Sequence, residues 1–204
     1  MLPGVAKGSR STSRVTMAEA ILSDGQVLRG VNDLFIGPKS HTSALYEIEF
    51  QGVKEAQSSS GLIVSTGLGS TAWLKSIITG SVGIANAVGH GQGNDYEPMP
   101  WDTDHLIFTV REPFGSRASQ TTLLYGEIDD GEVLTLRSRM PDNGVIFSDG
   151  MKSDFLRFTA GNRLHMRACR VRRGLQPSTT VDWQERSCFR CVLAIGGWLW
   201  RPGS

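Results

Sequence analysis

At 204 residues, 39% hydrophobic and 20% charged, the chain has the composition of one globular domain with a single core, and not of a disordered or membrane protein. Its apolar runs are far shorter than a bilayer span, and a formal net charge of +1 gives no overall pull towards nucleic acid or anionic membranes, so neither is expected as a partner. The three cysteines, Cys169, Cys188 and Cys191, form no secreted disulfide framework, no signal peptide is visible, and the cytoplasm is the expected compartment.

Residues 1–13 are rich in Gly, Ser and basic side chains without any period and are expected to be a disordered terminus. Arg14 to Leu22 fits a strand, Ser23-Asp24-Gly25 a turn, and Gln26 to Leu28 the return strand. Val31 to Ile36 is the next strand, with Asn32 and Asp33 at its start. Ala44 to Phe50, Gln51-Gly52 and Val53 to Ala56 form a hairpin in which Leu45, Glu47 and Glu49 alternate with Tyr46, Ile48 and Phe50.

A buried strand, Leu62 to Val64, then runs into the turn Ser65-Thr66-Gly67-Leu68-Gly69. A helix follows from near Ser70 or Thr71, carrying Ala72, Trp73, Leu74 and Ile77, and is expected to fade near Ile78 because Thr79-Gly80-Ser81 comes next. Residues 79–103 are Gly-rich and read as a lid, a binding loop or a disordered stretch. Strands resume at His105 to Val110, Thr121 to Ile128, and Glu132 to Arg139 after Asp129-Asp130-Gly131. Val145 to Phe147 and Phe155 to Thr159 flank an Asp149-Gly150 turn, and Arg163 to Val171 is the last strand. Many short strands and one helix predict a mainly β fold: a β-sandwich of antiparallel strands with a single helix after the Gly-Ser-Thr-Ala-Trp turn. Residues 169–204 change character, with Trp183, Trp198, Trp200 and clustered arginines, and read as a tail foreign to the domain that spans residues 14–168.

The strand, turn and helix start at 62–73 supply the chemistry of a binding edge. Gly67 and Gly69 allow close approach of main chain to a ligand, the first helical turn offers unpaired N–H groups, and Ser65, Thr66, Ser70 and Thr71 add short donors and acceptors. Such turns also occur without any ligand. It is not a Walker-type phosphate loop, because no Gly-Lys-Ser/Thr follows. Asn32-Asp33 reads equally as a turn or cap, Asp149-Gly150 as a hairpin turn, and Trp73 as an amphipathic core residue. Cys188-Phe189-Arg190-Cys191 has metal or redox spacing, but Cys169 and His165 are too sparse to complete a zinc site and no metal site is expected.

The run Gly61-Leu62-Ile63-Val64-Ser65-Thr66-Gly67-Leu68-Gly69-Ser70-Thr71-Ala72-Trp73 resembles the Asp-Gly-Leu/Ile-Ile/Val-x-Ser-Thr-Pro-Thr-Gly-Ser-Thr-Ala-Tyr signature of the NAD kinase family, especially of its divergent members. Asn32-Asp33 resembles the family's Asn-Glu/Asp motif on the strand before, and Phe147-Ser148-Asp149-Gly150-Met151 its late Asp-Gly turn. The resemblance covers about residues 14–168 and corresponds to the family's carboxy-terminal β-rich domain. It implies that Asn32 and Asp33 hydrogen-bond the nicotinamide part of NAD, and that Ser65, Thr66, Gly69, Ser70, Ala72 and Trp73 line its adenosine or ribose region. Asp149 is a further ligand residue on this view. Ser60 stands where the family carries a dinucleotide-binding Asp, Asp33 where most carry Glu, Gly67 for Pro, Leu68 for Thr and Trp73 for Tyr.

The resemblance also implies a cytoplasmic homo-oligomer that phosphorylates NAD to NADP using ATP or polyphosphate with Mg²⁺. The family's activating Asp belongs to a Gly-Gly-Asp-Gly motif in an amino-terminal lobe, and this chain contains no such motif, so no catalytic residue is expected in it. It would bind rather than catalyse. Two other readings stand beside this one: a non-catalytic dinucleotide-binding or oligomerisation module, and a relative of the lipid or sugar kinases.

Overall fold

The structure, a computed structural model, describes residues 15–91, 93, 96–150 and 154–171. The expectations for residues 1–13, for Met151 and for the tail beyond 171, with Cys188 and Cys191, lie outside the described residues. Twelve strands and one α-helix are present among them: β1 Val15–Leu22, β2 Val27–Gly30, β3 Asp33–Pro38, β4 Ala44–Phe50, β5 Val53–Ser59, β6 Leu62–Ser65, α1 Trp73–Ala87, β7 Leu106–Val110, β8 Tyr125–Ile128, β9 Leu134–Ser138, β10 Gly144–Ser148, β11 Phe155–Arg157 and β12 Arg163–Val171. They form two six-stranded antiparallel sheets, in the orders β2-β1-β12-β9-β4-β5 and β11-β10-β3-β6-β7-β8. The fold is a β-sandwich.

Side-chain alternation builds the core between the sheets. On β4, Ala44, Tyr46, Ile48 and Phe50 point inward, while Leu45 and Glu49 are exposed and Glu47 half-buried. Leu34 and Ile36 of β3, Leu62 and Val64 of β6, Leu106 and Phe108 of β7, and Leu134 and Leu136 of β9 complete the same cluster. At roughly 1.5–3 kcal/mol for each large apolar side chain buried, these contacts are what hold the two sheets face to face.

The outer faces of the two sheets differ. On the first sheet it is charged: Glu19 of β1 is 2% exposed and is held by Arg29 of β2 and Arg167 of β12, each at 2.7 Å. On the second sheet it is apolar and covered, with Leu74 of α1 packed on Ile107 and Met99. Trp73, at the start of α1, stacks on Phe35 of β3 (centroids 5.6 Å, interplanar 6°), and Phe35 meets Phe147 of β10 at 4.8 Å. The Arg111 guanidinium sits over the Trp73 ring, 5.4 Å from its centroid. This layered stack docks the helix, so Trp73→Ala is expected to destabilise the chain by about 2–3 kcal/mol and to reduce helical signal. Trp73→Phe, which keeps a ring on Phe35, should recover most of the loss. Equal melting of the alanine variant and the parent chain would show that the stack does not anchor α1.

The helix departs from expectation at its end. It does not fade at Ile78 but runs on to Ala87. Glycine in a helix interior costs about 1 kcal/mol against alanine without forcing a stop, and here the half-buried Ile77, Ile78, Val82 and Ala85 continue the sheet-facing stripe across Gly80. Ser81 returns its hydroxyl proton to the Ile77 carbonyl at 2.9 Å. The true stop is Gly89, at φ +77, after which the His90 N–H donates to the Ala85 carbonyl and the Gly89 N–H to that of Asn86. The long connection anticipated at 79–103 is therefore a shorter one, from Val88 to His105. Three strand starts also shift by two residues or more: β3 begins at Asp33, leaving Asn32 just before it, β8 begins at Tyr125 rather than Thr121, and β9 at Leu134 rather than Glu132.

Residues 111–124 form a loop that lies along β5, the edge strand of the first sheet. The Phe114 N–H donates to the Ser58 carbonyl and the Gln120 N–H to that of Ala56, while the Ala56 N–H donates to the Gln120 side chain. Glu55, 6% exposed, fastens the loop by accepting the Thr122 and Leu123 N–H groups at 3.2 and 2.8 Å and the amide of Gln57. The edge of β5 is thus bonded within the chain.

Candidate functional site

Neighbouring strand ends of the second sheet meet at one place. In the order β10-β3-β6 all pairings are antiparallel, so the start of β3 lies between the ends of β10 and β6. Asp33 is the register partner of Ser65, and Ser148 that of Leu34. Asn32, Asp33, Ser65, Thr66, Gly69, Ser70 and Asp149, separated widely in sequence, are brought together here.

The backbone at Val31 to Asp33 is held from both sides. From β10, the Asp149 carboxylate accepts the N–H groups of Val31 (3.1 Å), Asn32 (2.7 Å) and Asp33 (3.3 Å). From β6, the Thr66 hydroxyl donates to the Val31 carbonyl at 2.6 Å and the Thr66 N–H to the Asn32 carbonyl at 2.9 Å. The Gly69 N–H donates in turn to the Thr66 hydroxyl at 3.3 Å. Gly69 lies so close that a Cβ there would fall 2.0 Å from the Asn32 carbonyl oxygen. A main chain this completely bonded is a rigid platform for the side chains it carries.

Those side chains are not bonded. Neither the Asn32 amide nor the Asp33 carboxylate makes a hydrogen bond or ion pair among the described residues. Asn32 is half-buried and can offer both a donor and an acceptor. Asp33 is 7% exposed; its burial first, and the neighbouring Asp149 charge second, push its carboxyl up to about 6. A buried acid without a partner costs stability, and such groups concentrate at sites that act on something. The arrangement can accept hydrogen bonds from a neutral donor, such as an amide or hydroxyl, through Asp33, while Asn32 pairs beside it.

The buried hydroxyls of the turn bond within the chain. Thr66 and Ser70 are fully buried, and Ser70 donates to the Gly67 carbonyl at 2.8 Å. Ser65, equally buried, donates to the Thr66 carbonyl at 3.3 Å. They build the turn from inside. After it comes one 3-10 turn, Gly69–Thr71, then Ala72 at φ −107, ψ −108, and α1 begins at Trp73 without a side-chain cap. Ala72 is exposed at this junction.

Ser60 and Trp73 lie apart from the cluster. Ser60 precedes β6 at its opposite end, about 16 Å from Ser65 at ~3.3 Å per strand residue, where its N–H donates to the Arg111 carbonyl. Trp73 reaches back over Phe35 towards the same end, beside Arg111. A ligand touching both Asn32 and Ser60 would have to extend along the outer face of the second sheet.

Sequence reasoning placed residues 96–103 within the loop at 79–103 but did not foresee that they pack against the turn. Met99 is buried against Leu74, the Pro100 carbonyl faces Gly67, and the Met99 carbonyl lies 3.4 Å from the Ser70 hydroxyl. The buried Tyr96 hydroxyl has no hydrogen bond of good geometry, yet the nearby Ser70 hydroxyl offsets part of the rise that burial imposes on the phenol. The glycines and prolines of 79–103 marked the stretch as a loop, and they say nothing of what it contacts.

Among the described residues no group of three or more His, Cys, Asp or Glu side chains could hold a metal ion. Asp149 uses its carboxylate on three backbone N–H groups, so the strand-end cluster does not fit Mg²⁺. Among the described residues no helix is long and apolar enough to cross a membrane. No protein-family model matches the chain, and no curated protein matches it.

Proposed function

We propose that the chain is the NAD-binding β domain of a NAD kinase-like phosphotransferase. The observation that supports this most is the convergence of Asn32-Asp33, the Ser65–Ser70 turn and Asp149 at one end of the second sheet, with the Asn32 amide and Asp33 carboxylate unbonded among the described residues on a fixed backbone. NAD carries the matching groups: a carboxamide and ribose hydroxyls that donate to Asp33 and pair with Asn32. On this reading the chain supplies the acceptor site. It contains no Gly-Gly-Asp-Gly motif and no described metal cluster, so the phosphoryl donor, ATP or polyphosphate with Mg²⁺, belongs to a lobe outside these residues, in cis or in trans. The expected assembly is a homo-oligomer in the cytoplasm.

Calorimetry with NAD on the folded chain tests the reading. Saturable binding is expected, weakened at least about tenfold by Asn32→Ala, which removes two hydrogen-bonding groups. A folded chain that takes up no NAD would remove the proposal.

A non-catalytic dinucleotide-binding module is the second reading, since the fixed Asn32–Asp33 pair offers hydrogen bonds to a dinucleotide without itself transferring a group. It predicts the same NAD binding, but no NADP formation when the chain is combined with a Gly-Gly-Asp-Gly lobe.

A further inference from the structure

We propose that Asp149 is a positioning residue: its carboxylate sits in the nest of three successive backbone N–H groups, Val31 to Asp33, and holds the Asn32 and Asp33 side chains at the strand ends without itself meeting a ligand.

The geometry carries this in three steps. First, β10 ends at Ser148, and Asp149 turns into the left-handed region at φ +50, followed by Gly150 at φ +72. That turn swings the side chain back over the start of β3. Second, the link is reciprocal: the Asp149 N–H donates to the Asp33 carbonyl at 3.1 Å, while the Asp149 carboxylate accepts from Asp33 and its two predecessors. Three converging N–H dipoles form an anion-binding concavity, and the anion is part of the chain. Third, the residue just before a strand usually has free main-chain groups and freedom to match. Here Val31 and Asn32 have none, because Thr66 takes their carbonyls and Asp149 their N–H groups. Removing the carboxylate frees one whole side of that clamp.

Asp149→Asn is the informative variant. Asparagine tolerates the left-handed conformation and keeps the size, but it exchanges one acceptor oxygen for an amide that opposes the N–H groups. Amide exchange at Val31, Asn32 and Asp33 is expected to quicken at least tenfold, while the core amides of β7 stay protected. The Asp33 carboxyl, followed by carbon-detected NMR, should titrate lower than its value of about 6 once the neighbouring charge is gone. Unchanged exchange and an unchanged Asp33 titration would overturn the proposal. So would loss of NAD affinity with both of these unmoved, because Asp149 would then be a contact residue. Faster exchange in a chain that binds no NAD even as wild type would uphold the positioning role and defeat the NAD reading alone. Should Asp149→Asn fail to fold, Asp33→Asn serves instead: it leaves the nest intact, so exchange at Val31 and Asn32 should stay slow, and fast exchange there would overturn the proposal.

Discussion

Gly69→Ala is expected to cost about 3 kcal/mol or more and to lower the melting temperature by roughly 10 °C. The added Cβ would stand 2.0 Å from the Asn32 carbonyl oxygen and 2.5 Å from its carbon, both main-chain atoms that cannot rotate away. Either the β6 turn or the start of β3 must move, and either movement breaks the bonds from Thr66 to Val31 and Asn32. NAD binding should fall with stability. Gly80→Ala makes the control: its added Cβ meets no atom within 4 Å beyond the adjoining helix backbone and it sits inside α1, so this change should stabilise by about 0.5–1 kcal/mol. Thermal melts of the two variants in one buffer decide the matter, and a Gly69→Ala chain as stable as the parent would mean that the two strand ends are not tightly joined.

Asp33→Asn should move stability and binding in opposite directions. The Asp33 carboxyl is raised from an ordinary value of 3.8 to about 6 in the folded chain, so between those values the native state holds more protons than the unfolded one. Stability contributed by protonated Asp33 is therefore present at acid pH and is lost as pH rises through about 6. Two units correspond to about 3 kcal/mol at most, and the amide in its place has its own unmet hydrogen bonds, so a gain of about 1–2 kcal/mol at pH 8 is expected, with none at pH 4. NAD affinity should drop at least about tenfold. Urea denaturation at the two pH values measures the first effect and calorimetry the second. The same change in stability at both pH values would show that the Asp33 charge is not costly where it lies.

A residue that weakens the fold while keeping an acceptor unbonded among the described residues is what a binding site is expected to contain. This cost is invisible in the sequence. Asn32-Asp33 could be singled out there only as a polar pair before apolar residues, whereas its burial and lack of partners depend on β10 and β6 closing around it. The strands were legible because their alternation is local, as in Tyr46, Ile48 and Phe50 against Leu45, Glu47 and Glu49. The turn at Ser65–Gly69 was legible because glycines and hydroxyls cluster in it. The end of α1 was misread, since the interior Gly80 is a weaker signal than the left-handed Gly89 nine residues later. The tie from Asp149 to Asn32 spans 117 residues, and no local pattern encodes it. The hydroxyls of Thr66 and Ser70 were correctly picked out as hydrogen-bonding groups, but whether they face outward or into their own turn is a matter of tertiary contact.

The loop over β5 has a consequence for behaviour at high concentration. An uncovered strand edge is a template on which a second molecule can continue the sheet, and β5, with Lys54 as its only cation, carries little charge to deter that. What keeps the edge closed is a segment with no regular structure, pinned at one end by Phe114 and at the other by the buried Glu55 carboxylate. Its tip, Gly115 to Ala118, is exposed. Colloidal stability thus rests on an irregular strap rather than on the strand it protects. A single proteolytic cut at that tip is expected to loosen the strap and open the β5 edge to a second molecule.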